Sequence, residues 1–218
     1  FSRVLFGLLI GGSVVLAIGL WDDVKGLKAR HKLLLQVIAG LLACKMGFNI
    51  DSIDIGHFNF TLKLGFMACP FTVLWFVACM NAINLVDGLD GLAGGLSLVV
   101  LLCMTTIGAL FGHAEIAFLT ACIAGATLGF LFHNFHPAKV FLGDCGSMFL
   151  GFSIAALALS GSATRSSTGV ALLVPITALG LPIMDTALAI LRRWVRRMPI
   201  SAADRQHLHH RLLRSEEH

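Results

Sequence analysis

Apolar residues gather in seven long blocks, at roughly 1–20, 32–48, 66–84, 92–111, 114–133, 147–161 and 170–191, parted by short polar stretches. Most approach the ~20 residues an α-helix needs to cross a bilayer. The pattern therefore predicts an all-α, polytopic transmembrane bundle, a single domain over 1–218, with those seven blocks as its helices. One stretch has a different period. Between Asn49 and Lys63 polar and apolar residues alternate around Gly56-His57, which predicts a short extracytoplasmic β-hairpin. Residues 192–218 form a basic, His-containing tail that reads as an amphipathic cytoplasmic segment.

Seven crossings force a strict alternation of sides. The loops at 21–31, 85–91 and 134–146, with Lys32 at a border and the tail from 192, carry 12 of the 16 Lys and Arg. The opposite side holds Arg3, Lys45, Lys63 and Arg165, so the first side is assigned as cytoplasmic. Trp21 and Trp194 fall at cytoplasmic ends, where interfacial rings collect. Asp22, Asp23, Asp87, Asp90, Asp144 and Asp204 belong to the same side. Charges cost ~2.5–3.5 kcal/mol at a span's centre, so these carboxylates are expected to gather in a wet cavity at one membrane face.

Composition agrees with a membrane protein: 57% of residues are hydrophobic, 13% are charged and the mean hydropathy is +0.87. The segment 4–20 has no preceding basic region or cleavage site and reads as a span rather than a removed signal. The six cysteines stand at no metal-ligand spacing and are expected to be small buried hydrophobes. A net charge of +4 without an aromatic-basic groove pattern argues against nucleic acid and for anionic lipid or a phosphorylated substrate.

Four polar clusters carry the candidate chemistry. In Asn81-Ala-Ile-Asn-Leu-Val-Asp-Gly-Leu-Asp-Gly, helical spacing puts Asn84 and Asp87 on one face with Asn81 at its margin. Gly88 and Gly91 favour opening the helix, which would let Asp90 return to the same pocket. A polar loop between two spans is the alternative. Asp22 and Asp23 would point about 100° apart on a helix and serve two tasks, one toward a metal and one toward a nucleophile's proton. Lys28 and Lys32 add positive charge for phosphate, although an acidic helix end followed by lysines at a cytoplasmic boundary needs no function.

In Lys139-Val-Phe-Leu-Gly-Asp-Cys-Gly-Ser147, Asp144 precedes a span expected to begin near Ser147, a good N-cap. Free N–H groups there suit a diphosphate, and Asp144 suits a Mg2+ that bridges it. No P-loop pattern occurs in the chain. Arg205, His207, His209 and His210, in Asp204-Arg-Gln-His-Leu-His-His-Arg, could clamp an anionic substrate, bind zinc or lie on the membrane as a solvated helix. Hard oxygen donors beside basic groups at a bilayer suggest phosphoryl transfer from a soluble nucleotide to a lipid.

These motifs, in this order, resemble the signature blocks of the polyprenyl-phosphate N-acetylhexosamine-1-phosphate transferases, glycosyltransferase family 4. The resemblance implies transfer of a sugar 1-phosphate from a UDP-N-acetylhexosamine to undecaprenyl phosphate at the cytoplasmic face of a bacterial inner membrane, with release of UMP. Mg2+ is the implied cofactor, with Mn2+ as a substitute, and a homodimer is an open possibility. The tail is similar to the WecA/TagO branch, whose donor is usually UDP-GlcNAc, rather than to MraY, which takes UDP-MurNAc-pentapeptide. Family members have more spans than seven, so the chain reads as an internal fragment. The resemblance makes Asp144 the principal metal ligand with Asn84 a second, and Asp22, Asp23 and Asp87 catalytic. It puts Asp90 near the uracil and the Arg205, His207, His209 and His210 loop on the donor. Asp185 fits the branch without a physical role.

Two other classes compete. A CDP-alcohol phosphotransferase would need Ala-Arg soon after the first Asp-Gly, where this chain has Leu89-Asp-Gly. A cation transporter would place its carboxylates at mid-bilayer rather than at span ends.

Overall fold

The computed structural model describes residues 2–55, 60–161 and 180. Most of the seventh expected span and all of the tail, with Asp185, Arg205, His207, His209 and His210, lie outside the described residues. Among the described residues six α-helices follow in order: α1 (Ser2–Lys25), α2 (Ala29–Met46), α3 (Ala68–Val86), α4 (Leu92–Leu110), α5 (Ala114–Asn134) and α6 (Gly143–Gly161). Between α2 and α3, β1 (Ser52–Ile55) and β2 (Phe60–Lys63) pair antiparallel, with Ser52 opposite Lys63 and Ile55 opposite Phe60. Residues 56–59, the centre of the expected hairpin, lie outside the described residues.

Among the described residues, five helical stretches are long and apolar enough to cross a membrane: Arg3–Lys25, Gly65–Val86, Leu92–Leu110, Ala114–Asn134 and Gly143–Ser160. The second expected span does form a helix. It is not among the five, because the 18 residues of α2 include Arg30, Lys32 and Lys45. Two boundaries also move. α1 runs past residue 20 to carry Trp21, Asp22 and Asp23 on its last turn, and α6 begins at Gly143 rather than near Ser147.

α6 is the axis of the bundle. In its span, 67% is buried among the described residues, against 33% or 39% in the other four. It packs along α1 and α3 and also meets α4 and α5, while α4 pairs chiefly with α5. Lipid tails are as apolar as leucine, so close packing of small residues rather than water exclusion must join such helices. Two glycines allow it. A Cβ at Gly19 of α1 would lie 2.4 Å from Cys145 Cα, and one at Gly151 of α6 would lie 2.6 Å from Met80 Cα. Around these contacts Phe76 and Phe152 stack with ring centroids 5.0 Å apart, and Trp75 donates its indole N–H to the Ala155 carbonyl at 3.3 Å.

Candidate active site

The chain turns back after each helix, and this brings the C-terminal ends of α1 and α3 beside the N-terminal ends of α2 and α6. Lys32 stands at the centre. Its Nζ lies 3.1 Å from Asp22 Oδ2, 2.7 Å from Asp144 Oδ2 and 3.1 Å from Asn84 Oδ1. Asn84 turns its amide the other way, donating to Asp144 Oδ1 and, at 2.9 Å, to Ser147 Oγ. Four helices therefore contribute to one network. Breaking such a partly buried pair by removing one partner would leave a charge uncompensated, at a cost of ~3–5 kcal/mol when burial is complete.

Asp22 and Asp23 turn to different partners. Asp22 is buried, accepts the Leu27 N–H at 2.6 Å and pairs with Lys32. Asp23 accepts the backbone N–H groups of Asp144 at 2.9 Å and Cys145 at 3.0 Å. A carboxylate from α1 thus caps the first turn of α6, where free N–H groups had been expected to await a diphosphate. Ser147, in the second turn, bonds Asn84 instead of starting the helix. Gly143 turns the chain into α6 with φ +65, and a Cβ there would lie 2.9 Å from Asp23 Oδ2, so both backbone and space call for glycine.

Asp87 follows α3 directly and faces the Gly143 N–H. Burial, then the neighbouring charges of Asp144 and Asp23, push its carboxyl up to about 6. Asp90 takes another direction. Its Oδ2 accepts the Ala138 N–H at 3.1 Å and lies 3.0 Å from His136 Nδ1, contacts that hold its carboxyl below the usual aspartate range. Asn134 fastens the same two loops, accepting the Gly91 N–H at 3.0 Å and donating to the Val140 carbonyl at 2.8 Å. The expected return of Asp90 to the Asn84 pocket is therefore replaced by a tie to the loop before α6. Asn81 is also displaced, bonding Gln36 one turn deeper. Lys28 is exposed at the start of α2, apart from the contacts of Lys32.

Among the described residues no group of three or more His, Cys, Asp and Glu could hold a metal ion, so Asp22, Asp87 and Asp144 do not form a shared cage. Asp22 is committed to Leu27 and Lys32. What remains does fit Mg2+ as it commonly binds next to phosphates, through one or two carboxylates with water and phosphate oxygens completing the octahedron. Asp144 and Asn84 Oδ1 offer hard oxygen donors. Asp87, raised by burial first and by the charges of Asp144 and Asp23 after it, adds a carboxylate whose ionised form a divalent cation would favour.

Gln36, Asn134 and His136 were not singled out in the sequence. A lone amide within Leu33-Leu-Leu-Gln-Val-Ile-Ala is a legible signal for Gln36, because a polar side chain inside an apolar helix needs a partner. Asn134 and His136 gave no such signal in a polar loop.

Fold and site together define a multi-pass helical membrane protein with a lysine-bridged cluster of oxygen donors at one end of its bundle. Residues 5–162 match the sequence profile of Glycosyl transferase family 4, and the chain belongs to that family. It is 43% identical over 206 residues to a probable undecaprenyl-phosphate N-acetylglucosaminyl 1-phosphate transferase of Bacillus subtilis, covering 94% of this chain and 57% of the relative. It is 36% identical over 233 residues to a decaprenyl-phosphate N-acetylglucosaminephosphotransferase of Mycobacterium tuberculosis, covering 98% and 58%. A phospho-N-acetylmuramoyl-pentapeptide-transferase of Clostridium botulinum is 37% identical over 161 residues, covering 73% and 49%. The chain spans less than three-fifths of the length of these relatives.

Proposed function

We propose that this protein transfers N-acetylglucosamine 1-phosphate from UDP-GlcNAc to undecaprenyl phosphate, releasing UMP, at the cytoplasmic face of a bacterial inner membrane. The observation that carries the reading is the meeting of Lys32, Asn84, Asp87 and Asp144 at one end of an apolar bundle, in a chain of this family. Two of these relatives are named for N-acetylglucosamine phosphate transfer to a polyprenyl phosphate, which favours that donor sugar over a MurNAc-pentapeptide. The sidedness rests on the Lys and Arg excess, 12 of 16, in the loops at the site's end of the helices and in the tail.

In this reading an oxygen of the lipid phosphate attacks the donor's β-phosphorus. A new P–O bond forms, the bond from that phosphorus to the bridging oxygen breaks, and the electron pair leaves with UMP. Asp144 and Asn84 would hold Mg2+, which when bound supplies charge neutralisation to the diphosphate. Lys32 can exchange Asp22 or Asp144 for a phosphate oxygen with little movement, offering a positive charge where negative charge develops. Asp87 lies next to Asp144 with a raised proton affinity, suited to taking the lipid phosphate's proton or orienting the hydrated cation. Arg205, His207, His209 and His210 are assigned to the donor's phosphates, and Asp90 with Lys28 to the nucleotide's periphery.

Radiolabelled UDP-GlcNAc and undecaprenyl phosphate, supplied with Mg2+ to the protein in detergent, should give a labelled lipid diphosphate and UMP. Label that enters lipid only from UDP-MurNAc-pentapeptide would overturn the donor assignment. Inverted configuration at phosphorus is expected, and retention would instead require a covalent aspartyl intermediate.

A further inference from the structure

One helical turn below the Lys32 network lies a second polar layer that repeats it. Gln36 follows Lys32 by four residues on α2, Asn81 precedes Asn84 by three on α3, and Met148 follows Asp144 by four on α6. Steps of three and four residues share a helix face, so each member of the deeper layer stands beneath a member of the upper one. The deeper layer is also bonded across the same three helices. Asn81 Nδ2 donates to Gln36 Oε1 at 2.7 Å, Gln36 Nε2 donates back to Asn81 Oδ1 at 3.4 Å, and Gln36 Nε2 reaches Met148 Sδ at 3.6 Å.

The direction of these amides is determined by their surroundings. Asn81 gives its other hydrogen to the Val77 carbonyl at 2.8 Å, so its nitrogen must face both Val77 and Gln36 Oε1. Gln36, only 1% exposed, then has one orientation that satisfies all its polar atoms. An axial slide of α2 would break two amide bonds to α3 and the sulfur contact to α6.

Resting on the function proposed above, we infer that Gln36 is a positioning residue: its bonds to Asn81 and Met148 fix the register of α2 so that Lys32 reaches Asn84 and Asp144. Gln36 touches neither phosphate nor metal in this scheme. It acts through the height of Lys32 in the bundle. A slide of a single residue, ~1.5 Å along the axis, would shift the root of Lys32 by about half the length of its bonds to Asn84 and Asp144.

The test reads Lys32 directly and needs no turnover. In the protein in detergent without added metal, an amine-reactive reagent followed by mass spectrometry reports how well each lysine is shielded. Lys32 is 16% exposed and ringed by its partners, whereas Lys28 is exposed and serves as the internal control. Gln36→Leu is expected to raise the labelling rate of Lys32 by about three- to tenfold, the scale of one or two interhelical hydrogen bonds, with Lys28 unchanged. The double variant Gln36→Leu/Asn81→Leu, which leaves no amide unpaired, should recover the melting midpoint while Lys32 stays reactive. Transfer activity should follow Lys32 shielding rather than the midpoint. Lys32 labelling that is unchanged in either variant, or shielding that returns with the midpoint, would overturn the inference. An inactive parent protein would count against the proposed transferase reaction only, since the labelling result stands without it.

Discussion

Lys32 places its ammonium 2.7 Å from the Asp144 carboxylate, joining the start of the second helix to a turn 112 residues later. This lysine balances the charges of both Asp22 and Asp144. It would compete with a divalent ion bound as proposed at Asp144 and Asn84 Oδ1. Lys32→Met is therefore expected to tighten binding of Mn2+, read by electron paramagnetic resonance, by about tenfold, the effect of removing one nearby positive charge. The same variant should lose transfer by ~100-fold or more, because the charge facing the developing phosphate is gone. Tighter Mn2+ binding with intact turnover would remove Lys32 from the reaction, and unchanged binding would remove it from the ion's surroundings.

Asp23 offers a separable prediction. Its carboxylate accepts two N–H groups from the first turn of α6, a role an amide oxygen can also fill. Asp23→Ala should destabilise the protein by about 1 kcal/mol, within the range seen for lost helix caps, and lower its melting midpoint in detergent. Asp23→Asn should recover most of that loss. Equal midpoints for the two variants would show that the cap contributes nothing measurable.

Much of this arrangement was legible locally. The bounds of α4 and α5 fall within a residue of the apolar blocks, because nothing competes with an uninterrupted apolar run for the helical state. Asn84, on α3, bonds Asp144, and Asp87, just past the end of that helix, lies close enough to feel the Asp144 charge. The start of α6 was misplaced because its cap comes from Asp23, 121 residues earlier, and a cap supplied by a distant helix leaves no mark beside the first turn. Asp90 was misplaced for a related reason. Gly91, with φ +74, reverses the chain, and Asn134 and Ala138 then draw that turn toward the loop before α6. Lys32 was read as a boundary lysine with phosphate as its partner, not as the bridge between Asp22 and Asp144.

The two close glycine contacts hold α6 in the position that presents Asp144. A methyl at Gly19 would strike backbone atoms of Asp144 and Cys145, and one at Gly151 would strike the backbone of Cys79 and Met80. Neither obstacle is the end of a flexible side chain. Gly19→Ala and Gly151→Ala are each expected to destabilise by ~1–3 kcal/mol, the usual range for overpacking. Gly125, where a Cβ would meet nothing within 4 Å, provides the control, and Gly125→Ala should leave the midpoint where it is or raise it slightly. A Gly19→Ala protein that melts with the parent would mean that α1 and α6 are not in contact at this point.

Asp87 gives a pH dependence with a definite sign. Burial and the charges of Asp144 and Asp23 raise its carboxyl from the usual 3.8 to about 6 in the folded protein, so the folded state holds this proton more tightly than the unfolded chain. The stabilisation from that proton is complete below about pH 4 and is lost as pH rises through 6, because the folded state must then accept a third charge beside Asp144 and Asp23. Asp87→Asn cannot ionise and escapes the loss. With a chelator present, the melting midpoints of the variant and the parent should differ least near about pH 4, diverge in the variant's favour through pH 6 and run parallel above about pH 7. A difference that stays constant across that range would mean that Asp87 faces open solvent rather than the other two carboxylates, and its part in handling the lipid phosphate's proton would fall with it.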